Sequence, residues 1–492
     1  MNRRRAQAMI PVLFVMLILT ALAVILSGMA RREMHAGTGY SRDVQMQAAA
    51  RGAILLAASQ LAESTTGGAS PPSLTLPPDT DVNGWTMLGD VWYKVEIIDT
   101  ASRVNINTAS ADALNRLPGF NSDPNIVAAT IDWRDTDSNP STSPNNGQGA
   151  EADVYEALVP PYTCKNAPFD TIDELLLVRG MTPAILYGES NLSTTTAVAG
   201  TDAAIQQTNP QTRQAAGGGG GQGGSPASTP PTVGSVTSTI PLAELITTYS
   251  KERNVASDGT ARVNLKTCTQ QQLTDIGLSA AAANSVIQNR GQNGANLNSI
   301  ADLMGTPYTG FTRTFMQQNA DKLTVTAGQD RPGVININSA PSEVLATIPG
   351  VDATTYQAVV DARNSGTTFT GLNDLFQLTQ LNRQQLQSLV DNICTKSSVY
   401  IIRVRVRVPG SAQIYAVQAL VEISAAASTT GTTGTTTSTT STSIDQPTGQ
   451  FRILQWREVG RTPGWQSWSP APKYTATTST TTSTSGGTLG SN

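Results

Sequence analysis

The sequence has almost none of the side chains that carry hydrolytic or redox chemistry. Among 492 residues there is one histidine, His35, just past a long apolar run near the N-terminus. Ser/His/Asp, Cys/His and His-zinc arrangements therefore lack their material. The three cysteines, Cys164, Cys268 and Cys394, show no CxxC spacing, which removes the common zinc and thiol-exchange motifs. Charged residues make up 14%, aromatics 5%, and the formal net charge is −4. A sequence-independent nucleic-acid binder would carry a basic excess instead. The glycine run at 217–221 does not end in GK(S/T), so it is no phosphate loop.

What the chain does have is a motif written three times. Residues 103–117 read RVNINTASADALNRL, residues 261–276 read ARVNLKTCTQQQLTDI, and residues 334–348 read VININSAPSEVLATI. Each is a helix-start signal followed by a turn, at Pro118-Gly119, Ile276-Gly277 and Pro349-Gly350. The pattern predicts a small helical hairpin used three times. Cys268 stands where the other copies have Ala109 and Ala340, so it is expected to be small and buried. That leaves Cys164 and Cys394 free to pair in an oxidising compartment.

Residues 9–30 are uncharged and mostly aliphatic. About 22 residues at ~1.5 Å each give ~33 Å, enough to span a bilayer. Arg3, Arg4 and Arg5 precede the run and Arg31 and Arg32 follow it. This asymmetry predicts a cytoplasmic N-terminus and an exported body. A retained anchor and a cleaved secretory signal ending at Gly28-Met29-Ala30 both fit, and the length of the run favours the anchor. Helical spacing continues through Val44, Ala48, Leu55, Ala58 and Leu61, with Gly37 and Gly39 as a soft joint. Residues 90–100 alternate as a strand, with Val91, Tyr93, Val95 and Ile97 on one face. Strands recur at 399–408, 413–423 and 451–459. Strands on either side of a long helical excursion can share one sheet, which makes the helical block an insertion into an α+β domain.

Five acidic residues, Asp132, Asp135, Asp137, Glu151 and Asp153, crowd into a loop of the first unit beside Asn145 and Asn146. Several hard oxygen donors on one loop suit calcium. Asp135-x-Asp137-x-Asn139 opens like an EF-hand but then places Pro140 and Asn146 where glycine and glutamate belong. The alternative is a merely solvated acidic loop.

Taken together these residues resemble the family of general secretion pathway protein K, the large minor pseudopilin of bacterial type II secretion. The resemblance rests on RRRAQAMIPVLFVMLIL at the N-terminus, on RVNINTASADAL, on IDWRDTD…GAEADVY…PPY…NAPFDTIDELLLVRGMTP, and on the return of strands after the helices. It covers residues 1–190 well and the rest loosely. Pro11 occupies the place where most pseudopilins carry glutamate, a departure typical of the K type. The resemblance implies a pilin-like fold: a long N-terminal helix on an antiparallel sheet, with a large inserted domain of helix-hairpin-helix (SAM-like) repeats. It implies cleavage by prepilin peptidase between Ala6 and Gln7, where glycine rather than alanine is usual. It also implies calcium at Asp135, Asp137, Glu151 and Asp153, with Asp132 in reserve. Expected partners are the minor pseudopilins I and J and other pseudopilins at the pseudopilus tip, on a single-pass inner-membrane anchor with the bulk in the periplasm. No catalysis and no nucleic acid are implied.

The expected order is leader 1–6, hydrophobic helix 7–30, amphipathic helix and first strand 31–102, first helical unit 103–189 and low-complexity linker 190–240. The second unit follows at 241–330, the third at 331–397, the C-terminal strands at 398–474 and a disordered tail at 475–492. The rival reading is a membrane-anchored DNA receptor of the competence type, whose hairpins would hold phosphate at a glycine turn. The turns LPGFNSDPN, DIGLSAAAA and IPGVDATTY carry no second glycine at the needed spacing and no basic residue, which favours packing units. Arg403, Arg405 and Arg407 share one strand face, either a solvated face or a basic stripe for an acidic partner.

Overall fold

The computed structural model of the chain describes residues 3–66, 80, 84–143, 145–188, 240–409, 414–423 and 451–460. One helix, Arg3–Thr66, opens the chain. It runs unbroken through Gly37 and Gly39, and its 64 residues make it about 96 Å long. Residues 13–34 are exposed throughout, and this stretch is long and apolar enough to cross a membrane. The second half lies on a sheet through Met46, Ala49, Ala50, Ala53, Ile54, Ala57, Ala58, Leu61 and Ala62. The predicted face is therefore rotated. Ala58 and Leu61 are buried, but Val44 and Leu55 are 47% and 40% exposed. Six alanines alternate on this face with Met46, Ile54 and Leu61, and let the helix axis approach the sheet closely.

The sheet has five strands in the order Thr86–Leu88, Val91–Asp99, Val399–Arg407, Ile414–Ile423, Phe451–Gly460, all antiparallel. Val91–Asp99 and Val399–Arg407 are neighbours in this sheet, with the helical block between them in the chain. Val91, Tyr93, Val95 and Ile97 face the helix as the alternation required. Trp456 packs against the same core. Trp465 and Trp468 lie outside the described residues.

Between those two strands the helical block forms one core, to which all three units contribute. Each unit closes on a two-residue parallel strand pair: Val104–Asn105 with Ile246–Thr247, Val263–Asn264 with Leu323–Thr324, Ile335–Asn336 with Ile393–Cys394. This moves a boundary. Residues 241–247 complete the first unit rather than open the second, so the low-complexity stretch is an excursion inside the first unit. Residues 189–239, like 461–492, lie outside the described residues.

The repeated motif works the same way in each copy. Asn105, Asn264 and Asn336 each accept through Oδ1 from the backbone N–H two residues on, an Asx turn that ends the short strand. Arg134, Arg290 and Arg363 donate to the carbonyls of Ala109, Cys268 and Ala340. Asn107 and Asn338 clamp the backbones of Phe169 and Phe369. Cys268 is buried as expected. Cys164 and Cys394 are not paired. Cys164 lies against the Asp132 carbonyl in the first unit, whereas Cys394 is fully buried in the closing strand of the third.

Ion pairs join block to sheet. Glu244, just past the excursion, binds Arg103 and Arg403. Asp173 binds Arg457, and Lys251 binds both Asp330 and Glu422. Arg403 is thus neither solvated nor waiting for a partner. It is 4% exposed, burial holds its pKa down to about 9, and the chain's own Glu244 answers it.

Candidate metal centre

The helix Pro124–Arg134 delivers the first acidic residues. Asp123 caps it, accepting from the Asn125 N–H, and Pro124 stands at its first position, where no N–H is needed. Asp132 is on its buried side and Asp135 is its C-cap. The Asp135 N–H donates to the Ile131 carbonyl, which turns the chain outward toward Asp137. The loop then returns to Glu151, the N-cap of the short helix Ala152–Glu156.

This folding brings Asp135, Asp137 and Glu151 together, with one carboxylate oxygen from each lying within 4.8 Å of the others. Glu151 is 4% exposed, and neither of its oxygens has a hydrogen-bond partner. The same holds for Asp135 Oδ1 and for Asp132 Oδ2. Asp132 is fully buried, and its other oxygen accepts from the Ser141 N–H at 2.9 Å. Asp137 is exposed, and its Oδ1 accepts from the Asn139 backbone at 2.8 Å. Asp153 is not brought in. It points to solvent from the first turn of the short helix.

Two further residues of the pocket go beyond the acidic set expected from the sequence. Asn166, at φ 46°, donates to the Asp137 carbonyl at 2.8 Å and leaves its own buried Oδ1 without a partner. Gly149 lies flat against Asp132, and a Cβ there would sit 1.8 Å from Oδ2. The signal for Gly149 is present in GQGAEADVY, where a glycine beside acidic residues marks a close approach of backbone. Asn166 gives no such signal.

The electrostatics are those of crowded carboxylates, offset in part by the Arg134 charge beside Asp135 and by the Asn166 amide beside Glu151. Burial raises the Glu151 pKa, and Asp132, Asp135 and Asp137 raise it further. Burial, then Asp137 and Asp132, raise that of Asp135. The adjacent Arg134 turns away, donating to the carbonyls of Ile106 and Ala109. Lys165 is engaged by Asp170 and Glu174. Unpartnered buried carboxylate oxygens are costly, and several hard oxygens converging on one point suit a divalent cation such as calcium. The residues present fit that ion. Ala6 and Gln7 fall in the first turns of the N-terminal helix, outside the residues whose side chains are described.

At the hairpin turns the chain's own side chains cap the helices that follow. Asp123 and Asp352 each accept from one first-turn N–H of the helix that follows the turn, and Ser279 does so in the second unit. Gly119 is covered by Ile185 and Leu242, and Gly350 by Ser388.

Residues 101–188 match the family model for Type II secretion system (T2SS), protein K. No curated protein matches the chain. The fold is similar to a chain in the crystal structure of the GspK-GspI-GspJ complex from the enterotoxigenic Escherichia coli Type 2 Secretion System. That similarity has a TM-score of 0.36 and 13% identity, over 87% of this chain and 99% of that one.

Proposed function

We propose that this chain is a K-type minor pseudopilin of a type II secretion system, a structural subunit at the tip of the pseudopilus that acts by assembly and not by catalysis. The observation that carries this is the match of residues 101–188 to protein K, because that segment holds the acidic pocket and the first helical unit. In this reading Arg3–Thr66 is the pilin-type helix, anchored in the inner membrane before assembly, with the body in the periplasm. Prepilin peptidase cleaves after Ala6. The three inserted units are helix-hairpin-helix modules that supply bulk above the sheet, so that no further subunit adds on top. The partners are the minor pseudopilins I and J.

The pocket of Asp135, Asp137 and Glu151, with Asp132 at its floor and Asn166 at its side, holds calcium. The ion neutralises carboxylates that otherwise repel one another and ties the 135–166 loop to the first unit. Trp133 follows Asp132 directly in the sequence, so terbium in place of calcium should emit when tryptophan is excited.

The DNA-receptor reading is disfavoured by the self-capped hairpin turns. One experiment separates the two. The full-length chain is co-expressed with minor pseudopilins I and J from the same host and purified in detergent. A 1:1:1 complex without DNA affinity is expected. Submicromolar DNA binding that weakens steeply with salt, with no complex formed, would overturn the assignment.

A further inference from the structure

One loop of the first unit is both apolar and exposed. Ala157, Leu158, Val159, Pro160 and Pro161 all face solvent, Val159 at 87%. Side chains so exposed bury too little to fix their own loop. Its order comes from its stem. The Tyr155 carbonyl accepts from the N–H groups of both Leu158 and Tyr162, which closes the loop at its base. The Tyr162 hydroxyl donates at 2.8 Å to the carbonyl of Leu177, and the Tyr155 hydroxyl accepts from the Arg179 N–H at 3.3 Å. The rings of Tyr155 and Tyr162 lie 5.3 Å apart, and Trp133 meets them edge-on at 5.3 Å and 6.4 Å. Three stretches of chain thus meet in one aromatic cluster that carries the loop.

The same stretches carry the groups of the acidic pocket. Asp132 and Asp135 flank Trp133, Glu151 stands one helical turn before Tyr155, and Asn166 follows Tyr162 in the third stretch. What the first two bring to the pocket is like charge. Glu151 is 4% exposed with both oxygens unpartnered, and Asp132 is fully buried with Oδ2 unpartnered. Glu151 is the N-cap of the helix Ala152–Glu156, yet its side chain makes no capping bond. From this we infer that the pocket is a switch for the loop. Calcium joins the three stretches on the pocket side and holds the apolar tip 157–161 in one shape; without the ion the stretches part and the tip loses that shape. The relay is short. Glu151 starts the helix, and the helix ends on Ala157, the first residue of the tip. A helix of 5 residues has no stability of its own, so displacing its first residue displaces its last.

The inference rests on the calcium reading of the pocket and names what the ion controls. The test is amide hydrogen exchange on the full-length chain in detergent, read by mass spectrometry in calcium and in chelator. Calorimetry on the same sample measures calcium uptake. Pro160 and Pro161 have no N–H, so the readout is Leu158 and Tyr162, the donors to the Tyr155 carbonyl. Exchange about tenfold faster in chelator is expected at these two amides, with the helix Ala353–Asn364 of the third unit unchanged. This comparison needs no variant to fold. Glu151→Gln weakens both the repulsion and the hold of the ion, so the difference between calcium and chelator should shrink to about twofold or less. A difference as large in that variant as in the unaltered chain would overturn the switch. Calcium uptake without any change at Leu158 and Tyr162 would overturn the switch and leave the calcium reading intact. Equal acceleration in Ala353–Asn364 would mean general loosening instead of a local relay, and would also overturn the switch. No calcium uptake would overturn both.

Discussion

Glu244 accepts a hydrogen bond from Arg403 at 3.2 Å, and the same carboxylate pairs with Arg103. Glu244 stands a few residues after the described chain resumes at 240, so one carboxylate ties this segment to both block and sheet. Arg103 and Arg403 are 3% and 4% exposed and Glu244 is 11% exposed. Glu244→Ala removes the carboxylate that two buried guanidinium groups share. Chemical denaturation should register a loss of about 3–5 kcal/mol. Arg452→Ala, removing a side chain that is 63% exposed, should cost less than about 1 kcal/mol. Equal effects would mean the buried bridge is not what holds the junction.

Gly149 offers a way to close the proposed calcium pocket without touching a carboxylate. Gly149→Ala drives a methyl into Asp132, and the crowding should cost about 1–3 kcal/mol. Calorimetry should find calcium uptake lost. Gly37→Ala, where a new Cβ meets nothing, should leave uptake unchanged and raise helix stability by up to about 1 kcal/mol.

The pocket also sets a pH dependence. Glu151 and Asp135 have pKa values raised mainly by burial. A carboxyl whose folded pKa exceeds its unfolded value binds a proton more readily when folded. Without metal, its stabilising contribution is complete below the unfolded value and is lost as pH rises through the folded one. Thermal melts in chelator should therefore show the metal-free pocket gaining stability as pH falls from neutral toward the ordinary carboxylate range. Calcium should do the reverse, adding most at neutral pH and progressively less as protons compete. Glu151→Gln should flatten both trends. A calcium-induced shift that grows with acidification would contradict the assignment of these ligands.

The repeat predicts unequal consequences at matching positions. Asn107 donates to the Phe169 and Thr248 carbonyls and accepts from the Phe169 N–H. Asn338 does the same with Phe369 and Thr395. Lys266, the residue at that place in the second unit, instead lays its aliphatic stem against Gly294. Asn107→Ala and Asn338→Ala should each lower stability by about 2–3 kcal/mol through unmet backbone groups. Lys266→Ala should cost under about 1 kcal/mol.

The long apolar run, the alternation of Val91 to Ile97, the paired strands 399–407 and 414–423 and the threefold motif are all legible in the sequence, because each follows from composition, periodicity or turn residues. Three things are not. The buried face of the long helix is mostly alanine around Met46, Ile54 and Leu61, which carries little periodic signal, so Val44 and Leu55 fall on the wrong side. The return of 241–247 to the first unit depends on a two-residue parallel pairing across the excursion, too short to leave a pattern. In the acidic pocket the loop acids are visible, but which of them converge is set by the turn after Asp135 and by Asn166. That geometry excludes Asp153 and brings in a residue with no acidic signature.

The central claim is that the chain serves export as a tip subunit. It is tested most directly by deleting its gene in the native host and measuring how type II substrates divide between periplasm and medium. The account predicts that substrates accumulate in the periplasm, that the full-length chain restores their release, and that a chain lacking residues 1–34 does not. Unchanged release in the deletion strain would contradict it.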